Sequence, residues 1–443
     1  MEKKMKRRSF IGTAGSAAIA SGLFGTSEGI AESPVSVDMN SVNGRFTLKT
    51  FQNIRKQYRY DFDDFLTFYD KFVVDRQYGG FLCSCDHDGS HINTNKTATT
   101  EGRGIWCYSF MYNNGLVKDK KYLDYALASK DFIMKFYPSG DNYWPSTWTQ
   151  DGKVIDEKGG LPGDCYIGEG LRELSLATGD KKLRALSKEI MLKCYEKYNS
   201  PDFKDGSSPY PGARNLWYWM EFMWFGINWL VTWPDPEWEK IVNYCIEAMM
   251  DHHLNPDFNL WNMVINHDLS CASGENAAYA KVAACGHTTE ALWMIMYEAV
   301  RRRDKKLFER AAEMFKRHVD VSRDHVYGGV FDDCKDVDQN TWMLTKILWA
   351  EVFVLIGSLQ VIEHIGSPWA TDMFAEQYDY CLKKLTKKQY GYSLWLDSTD
   401  RKGNFPPHAS RADIYHHPRH LMLNLLSLER IIKRGGKLSG VFA

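Results

Sequence analysis

Four residues in three separate parts of the sequence could transfer protons or bind a polar ligand. Arg103, His287 with Glu290, and His416 each stand where a loop leads into an amphipathic segment. Imidazole exchanges protons near neutral pH, and a carboxylate three residues away shares its helical face. Two histidines that reach one carbon from opposite sides could remove a proton from one face and return it to the other, which inverts that carbon.

Each of these residues also has a structural interpretation. An Arg in the first turn of a helix opposes the helix dipole, so Arg103 either faces a ligand or pairs with a carboxylate of a neighbouring loop. His287 could cap its helix. The spacing of His416, His417 and His420 is compatible with a metal site, but adjacent histidines point to different sides and no Asp or Glu stands among the three. We therefore predict no metal site.

An internal repeat indicates how these residues are positioned. Segments 78–82, 327–331 and 390–395 each resemble a short strand followed by polar turn residues, and weaker copies begin near 143, 201 and 256. Their spacing of about 55 to 70 residues leaves room for two helices between successive copies. Apolar residues recur at helical spacing in twelve segments: 62–74, 105–116, 122–136, 167–177, 186–195, 217–231, 238–250, 288–300, 307–319, 342–362, 369–385 and 420–432.

Twelve helices in six hairpin-linked pairs predict an all-α fold. We expect a single domain over residues 50–437, behind an extended leader at 32–49. Local pairing favours a closed ring of six inner and six outer helices, with an open solenoid as the alternative. In a ring, the inner helix ends that carry Arg103, His287 and His416 would converge on one cavity.

Composition limits the possible partners. The chain has 443 residues, and 55 Lys plus Arg nearly balance 56 Asp plus Glu, so the net charge of −1 gives no field that attracts nucleic acid. Aromatic residues make up 14% of the chain and could form either sugar-stacking surfaces or core. The ten cysteines show neither zinc-site nor disulfide-scaffold spacing.

The amino terminus has the pattern of an export signal. Residues 1–31 combine basic residues, a mildly apolar segment and small residues ending at Ala31, and Arg7-Arg8 resembles a twin-arginine motif. An ordinary secretory signal is the alternative. We expect an exported bacterial protein, in the periplasm, and no later stretch is apolar for the roughly 18 residues of a membrane span.

The motifs together resemble the N-acylglucosamine 2-epimerase family, which also includes cellobiose 2-epimerases and aldose–ketose isomerases. The resemblance covers residues 50–433 and rests on Tyr78-Gly79-Gly80-Phe81 with Asp88-Gly89, Gly102-Arg103 with Trp106, Gly286-His287 with Glu290-Ala291, Lys346 with Trp349, and Tyr415-His416 with Pro418-Arg419. It implies an (α/α)6 barrel and catalysis by His287 and His416. Arg103 would bind the sugar and Glu290 would associate with the histidine. The implied reaction opens the sugar ring and passes through a cis-enediolate, with no metal or cofactor.

The chain departs from the family pattern at several positions. Phe353 stands where the family has a Glu four residues after Trp349, and Glu351 is rotated from that position by about 200° around a helix. In this resemblance Glu221 stands where cellobiose epimerases carry a His. The candidate substrate-binding residues are Arg103, Glu290, Glu351, Trp106, Trp349 and Trp395.

The expected function is epimerisation at C2 of a reducing sugar by a monomer or homodimer. An aldose–ketose isomerase is the nearest alternative. A glycoside hydrolase or lyase would need paired carboxylates, for which Asp86 with Asp88 or Asp332 with Asp333 are the candidates. A sugar-binding protein without activity is the third alternative.

Overall fold

The computed structural model describes residues 37–392 and 394–443. The export signal predicted at 1–31 and the first residues of the leader lie outside the described residues. Twelve α-helices occur in the described part: α1 (Leu48–Phe72), α2 (Ala98–Asn113), α3 (Lys121–Ile133), α4 (Leu161–Thr178), α5 (Lys181–Asn199), α6 (Leu216–Thr232), α7 (Pro236–Glu247), α8 (Cys285–Arg302), α9 (Lys305–Ser322), α10 (Leu348–His364), α11 (Pro368–Lys384) and α12 (His416–Lys433). None of these helices is long and apolar enough to cross a membrane.

The six even-numbered helices form a closed inner ring. Each packs against the next, from α2 through α4, α6, α8 and α10 to α12, and α12 packs back against α2. The odd-numbered helices pack outside them. This arrangement confirms the predicted (α/α)6 barrel and excludes the open solenoid, because α12 would have no contact with α2 in a superhelix.

The two rings differ in how far their helices are buried. In α10 every residue except Trp349 and His364 is buried, since this helix has neighbours on all sides. The outer helix α9 buries one stripe, which includes Phe308, Phe315 and Val319. An apolar stripe at this spacing is typical of a helix that faces solvent on its other side.

The connections are short at one end of the barrel and long at the other. Each inner helix leads to the next outer helix through a short connection: 114–120, 179–180, 233–235, 303–304 and 365–367. The return from outer to inner helix is longer in every pair and lies at the end where the inner helices begin.

Short antiparallel strands brace the long loops. The pairs are Lys96–Thr97 with Thr147–Trp148, which also pairs with Val154–Asp156; Arg214–Asn215 with Val264–Ile265; Leu254–Asn255 with Leu260–Trp261; Cys334–Asp336 with Thr341–Trp342; and Lys346–Ile347 with Ser398–Thr399. Three of these ladders join different loops, so they hold the loops above the inner helix ends.

The predicted helix boundaries differ from the structure mainly at the amino ends. The helix predicted from residue 342 begins at Leu348, because Thr341–Trp342 and Lys346–Ile347 form strands. The helices predicted from 62, 105, 167 and 420 begin earlier, at Leu48, Ala98, Leu161 and His416. In α2, α4 and α12 the first turns carry Gly, Thr, Pro, Arg or His rather than an apolar stripe, so periodicity does not detect them.

Part of the expected leader also contributes to the barrel. Ser41–Val42 pairs with Arg45–Phe46 in a small hairpin, and α1 begins only two residues later. The Phe46 ring is buried edge-on against Phe51 and Phe374.

Candidate active site

A cavity of about 470 Å³ opens among the long loops, above the amino ends of the inner helices. It brings together five of the residues singled out from the sequence: Arg103, His287, Glu290, Trp349 and His416. Its other lining residues are Thr99, Pro162, Tyr166, Asn215, Trp217, Met220, Glu221, Met263 and Arg411. These residues come from all six inner helices and the loops that precede them, so closure of the ring creates the site.

Two glycines let the inner helices approach their neighbours beside the site. A Cβ on Gly102 would lie 2.4 Å from the backbone carbonyl carbon of Tyr166. A Cβ on Gly286 would lie 2.3 Å from Oδ1 of Asp332 and 2.7 Å from the Trp349 ring. Both distances are shorter than a carbon atom allows, which gives a steric reason for a Gly directly before Arg103 and directly before His287.

His416 is the first residue of α12 and lines the cavity. Its Nδ1 lies 2.7 Å from Oδ2 of Asp413, and its ring lies 6.3 Å from that of Trp349. Burial lowers the pKa of His416 to about 3, although Asp413 acts in the opposite direction. The imidazole is therefore neutral at pH 7, and with the Asp413 carboxylate at Nδ1 its Nε2 is free to accept a proton.

His287 lies in the first turn of α8 and also lines the cavity. Its ring is 4.7 Å from the Trp349 ring, and burial lowers its pKa to about 4. Nδ1 is buried and has no hydrogen-bond partner among the residues that the structure describes. Both imidazoles thus lie near the Trp349 ring in the same cavity, and each is in the neutral form that can accept a proton.

Glu290 lines the cavity, and its carboxylate pairs with Arg419 of α12 rather than with His287. Arg419 is fully buried, and its guanidinium also lies 4.3 Å from the centre of the Tyr415 ring. This buried ion pair joins α8 to α12. It therefore fixes the position of His287 relative to His416, because these two helices carry the histidines.

Arg103, Tyr166 and Glu221 form a hydrogen-bonded chain along one wall of the cavity. Nη2 of Arg103 donates to the Tyr166 hydroxyl at 2.6 Å, and that hydroxyl donates to Oε1 of Glu221 at 2.8 Å. Burial and the neighbouring Glu290 raise the pKa of Glu221 to about 7. The guanidinium also lies 4.0 Å from the centre of the Tyr166 ring, so its position is well determined.

The position of Arg103 corrects one detail of the sequence interpretation. We expected Arg103 in the first turn of its helix, whereas α2 begins at Ala98 and Arg103 lies in the second turn. Thr97 caps the helix through a hydrogen bond from the backbone N–H of Thr100. Arg103 is therefore too far from the helix end to oppose the dipole directly. The contact with Tyr166 holds its side chain at the cavity wall.

Three predicted substrate-binding residues do not line the cavity. Trp106 is fully buried, with its ring stacked on Phe110. Trp395 is 2% exposed and packs against the rings of His417 and His420. The prediction that these tryptophans stack on a sugar is wrong, because neighbouring core residues cover their faces.

Glu351, the third of them, has a structural contact that repeats within the chain. It is buried in α10 and accepts a hydrogen bond from the backbone N–H of Val330 at 3.1 Å. Glu101 of α2 accepts in the same way from the N–H of Phe81, at 2.9 Å. Each of these glutamates stands five residues after a buried lysine, Lys96 or Lys346. Each donating N–H belongs to the residue that follows a Tyr-Gly-Gly turn. Glu351 thus stabilises a repeated turn, and its prediction as a substrate ligand is wrong.

We expect Glu351→Gln to lower stability and to leave activity nearly unchanged. Gln377 and the Val330 N–H both donate to Oε2, and the Val330 N–H also lies 3.3 Å from Oε1. An amide must place its NH2 group at one of these oxygen positions, opposite a donor, and an unsatisfied buried group costs about 1–3 kcal/mol. Urea unfolding of Glu351→Gln and Glu101→Gln measures the two equivalent contacts. A large loss of activity with unchanged stability in Glu351→Gln would contradict this assignment.

His417 and His420 lie away from the cavity lining and pack around Trp395. Within the described part of the chain, no group of three His, Cys, Asp or Glu residues is arranged to hold a metal ion. All ten cysteines are free, and only Cys271 is exposed.

Sequence reasoning missed several residues that complete the site. Tyr166 and Arg411 line the cavity, and Asp413 contacts His416 from the loop before α12. Asp413 could have been found from the sequence, because it precedes His416 by three residues. Tyr166 stands within an apolar run and has no distinguishing local signal.

These features define a closed (α/α)6 barrel with a small-molecule site at the amino ends of its inner helices. Residues 79–419 match the family model of N-acylglucosamine 2-epimerase (GlcNAc 2-epimerase), and the chain belongs to this family. It is 22% identical over 374 residues to the N-acylglucosamine 2-epimerase of Mus musculus, a match that covers 80% of this chain and 86% of the mouse protein.

Solved structures share the fold at lower sequence identity. Cellobiose 2-epimerase from Spirochaeta thermophila DSM 6192 superposes with a TM-score of 0.72 at 15% identity, covering 86% of this chain and 98% of that one. A D-mannose isomerase superposes with a TM-score of 0.71 at 11% identity, covering 85% and 97%. The three relatives named above are carbohydrate epimerases and an isomerase.

Proposed function

We propose that this protein inverts C2 of a reducing sugar by proton transfer between two histidines and an enediolate. The observation that carries the proposal is the placement of His287 and His416 in one cavity, each with its ring near that of Trp349. Inversion requires removal of a proton from one face of the carbon and return of a proton to the other, so two separate groups are needed.

The reaction begins with the open-chain aldehyde, whose carbonyl makes the C2 proton acidic. One neutral imidazole takes this proton while the electron pair of the C2–H bond forms the cis-enediolate. The other imidazole takes up a proton from solvent and delivers it to the opposite face of C2, while the electron pair re-forms the carbonyl at C1. The first imidazole then releases its proton to solvent, which restores both neutral histidines. Arg103 supplies positive charge to the anionic intermediate. These steps require no cofactor.

The cavity suits a largely uncharged polyol. Its volume of about 470 Å³ lies in the range of small-molecule sites. Trp349 and Trp217 supply flat apolar faces, and Asn215 and Glu221 can hydrogen-bond to hydroxyl groups. An N-acylglucosamine, a mannose- or glucose-type sugar, or the reducing end of an oligosaccharide all present these features.

Deuterium incorporation from heavy water tests the proposal. Incubation with glucose, mannose, N-acetylglucosamine, N-acetylmannosamine and cellobiose is expected to give one 2-epimer pair that carries deuterium at C2. Proton NMR locates the label. Deuterium at C1 of a ketose product would instead identify an aldose–ketose isomerase that uses the same enediolate. No label at either carbon with any of these sugars would contradict both reactions.

The hydrolase alternative has less support from the structure. Asp86 accepts from the backbone N–H of Ala409 and so joins two loops, while Asp88 accepts from that of Ser90 within its own turn. Neither they nor Asp332 and Asp333 are among the residues that line the cavity. A reducing-end assay with oligosaccharides separates the two functions, since new reducing ends would contradict the epimerase.

A further inference from the structure

Asp413 lies in the loop that leads into α12, and its carboxylate contacts several groups at once. Oδ2 lies 2.7 Å from Nδ1 of His416, while Oδ1 accepts from the backbone N–H groups of Tyr415 at 3.1 Å and His417 at 3.0 Å. Arg411 approaches Oδ2 to 3.8 Å. Burial acts to raise the pKa of Asp413, but His416, Arg411 and the His417 N–H outweigh it and hold the pKa well below its ordinary value.

We infer that Asp413 is a positioning residue that makes His416 a proton acceptor through Nε2. This inference rests on the proposed function and deepens it. An ionised carboxylate can only accept hydrogen bonds, so the neutral imidazole beside it carries its hydrogen on Nδ1. The lone pair then lies on Nε2. When His416 takes the substrate proton, the negative charge of Asp413 stabilises the imidazolium that forms.

The Asp413 carboxylate can also replace the negative charge of the family Glu, at whose position this chain has Phe353. The Phe353 ring lies 6.0 Å from the His416 ring and 5.5 Å from the Arg419 guanidinium. A Glu at this position would place its carboxylate beside both groups. The chain therefore supplies negative charge to His416 from the loop before α12 instead of from α10.

Asp413→Asn is the most informative substitution, because the backbone determines how the amide must orient. The N–H groups of Tyr415 and His417 require an oxygen at the Oδ1 position, which turns the amide NH2 toward Nδ1 of His416. Nδ1 must then accept, and the imidazole proton moves to Nε2. We expect kcat for deuterium incorporation at C2 to fall by about 10²–10⁴-fold, with KM changed by less than about threefold.

Asp413→Glu is the matched control, because it keeps the negative charge. We expect its kcat to exceed that of Asp413→Asn by at least about tenfold. The charges that act on the pKa of His416 are those of Asp413, which raises it, and of Arg103 and Arg419, which lower it, while Arg411 pairs with Asp413. Loss of Asp413 removes the charge that opposes these cations. The pKa of His416 then falls further, so the limb of the pH–kcat/KM profile that depends on His416 shifts to lower pH. Wild-type kcat and an unchanged profile in Asp413→Asn would overturn the inference.

Nitrogen-15 NMR of labelled histidine separates this inference from the proposed function. The His416 signals, assigned with His416→Gln, are expected to show the proton on Nδ1 in the wild type and on Nε2 in Asp413→Asn. A wild-type proton on Nε2 would overturn the inference even if the enzyme is active. If the proton is on Nδ1 but no sugar exchanges its C2 hydrogen, the positioning holds and the proposed reaction is wrong.

A substitution at Phe353 tests whether a carboxylate on α10 can replace that of Asp413 beside His416. We expect Phe353→Glu to raise kcat of Asp413→Asn by at least about tenfold, because the new carboxylate lies beside His416. Phe353→Gln in the same background has a similar size and no charge, and it should give no recovery. Circular dichroism and thermal unfolding establish that each variant is folded. Equal activity of the Glu and Gln double variants would overturn the claim that charge at position 353 substitutes for Asp413.

Discussion

His416→Ala should lower the rate of deuterium incorporation at C2 by about 10²–10⁴-fold, the usual contribution of one general acid–base group. The side chain lines the cavity, and its Nε2 is free while Nδ1 faces Asp413. Sugar binding should change little, because Arg103, Trp349 and Glu221 remain in place. Calorimetric titration measures binding, and NMR measures exchange.

His417→Asn is the matched control for this prediction. His417 is adjacent in sequence and also buried, but its ring packs against Trp395 outside the cavity lining. We expect exchange within about threefold of the wild type and a lower thermal midpoint, since a buried ring is lost. If His417→Asn abolished exchange and His416→Ala did not, the assignment of the proton carrier would be wrong.

Arg419→Met should lower the free energy of unfolding by about 3–5 kcal/mol, the range measured when one partner of a buried ion pair is removed. Both members of the Arg419–Glu290 pair are buried, so the substitution leaves the Glu290 carboxylate without its cation in a site that water reaches poorly. Urea unfolding followed by tryptophan fluorescence measures the change.

Two further variants separate this effect from a general effect of removing an arginine. Arg55→Met breaks a 2.7 Å pair with Glu429 in which both side chains are about half exposed, and it should cost no more than about 1 kcal/mol. The double variant Arg419→Met with Glu290→Gln should recover part of the loss, because a Glu290 carboxylate is no longer left without its cation. Equal losses in Arg419→Met and Arg55→Met would show that the buried pair has no special role.

The candidate site was partly predictable from local patterns. Arg103, His287 and His416 were found because each stands at the start of an amphipathic segment, and the structure places all three around one cavity. Trp106 and Trp395 were assigned wrongly, since a tryptophan beside a motif has the same sequence signal whether its ring faces a cavity or the core. Which of the two occurs depends on residues far away in the chain.

The sequence by itself determined the repeated helical unit, the number of helices and the family resemblance. These properties depend on periodicity and spacing within about 60 residues, where apolar residues and turn residues leave a direct pattern. Only the tertiary structure decided that the ring closes through α12 and α2, that His416 rather than His417 or His420 faces the cavity, and that Glu351 supports a turn. Each of these depends on which surfaces meet when distant helices pack, and such contacts have no local signal in a single sequence.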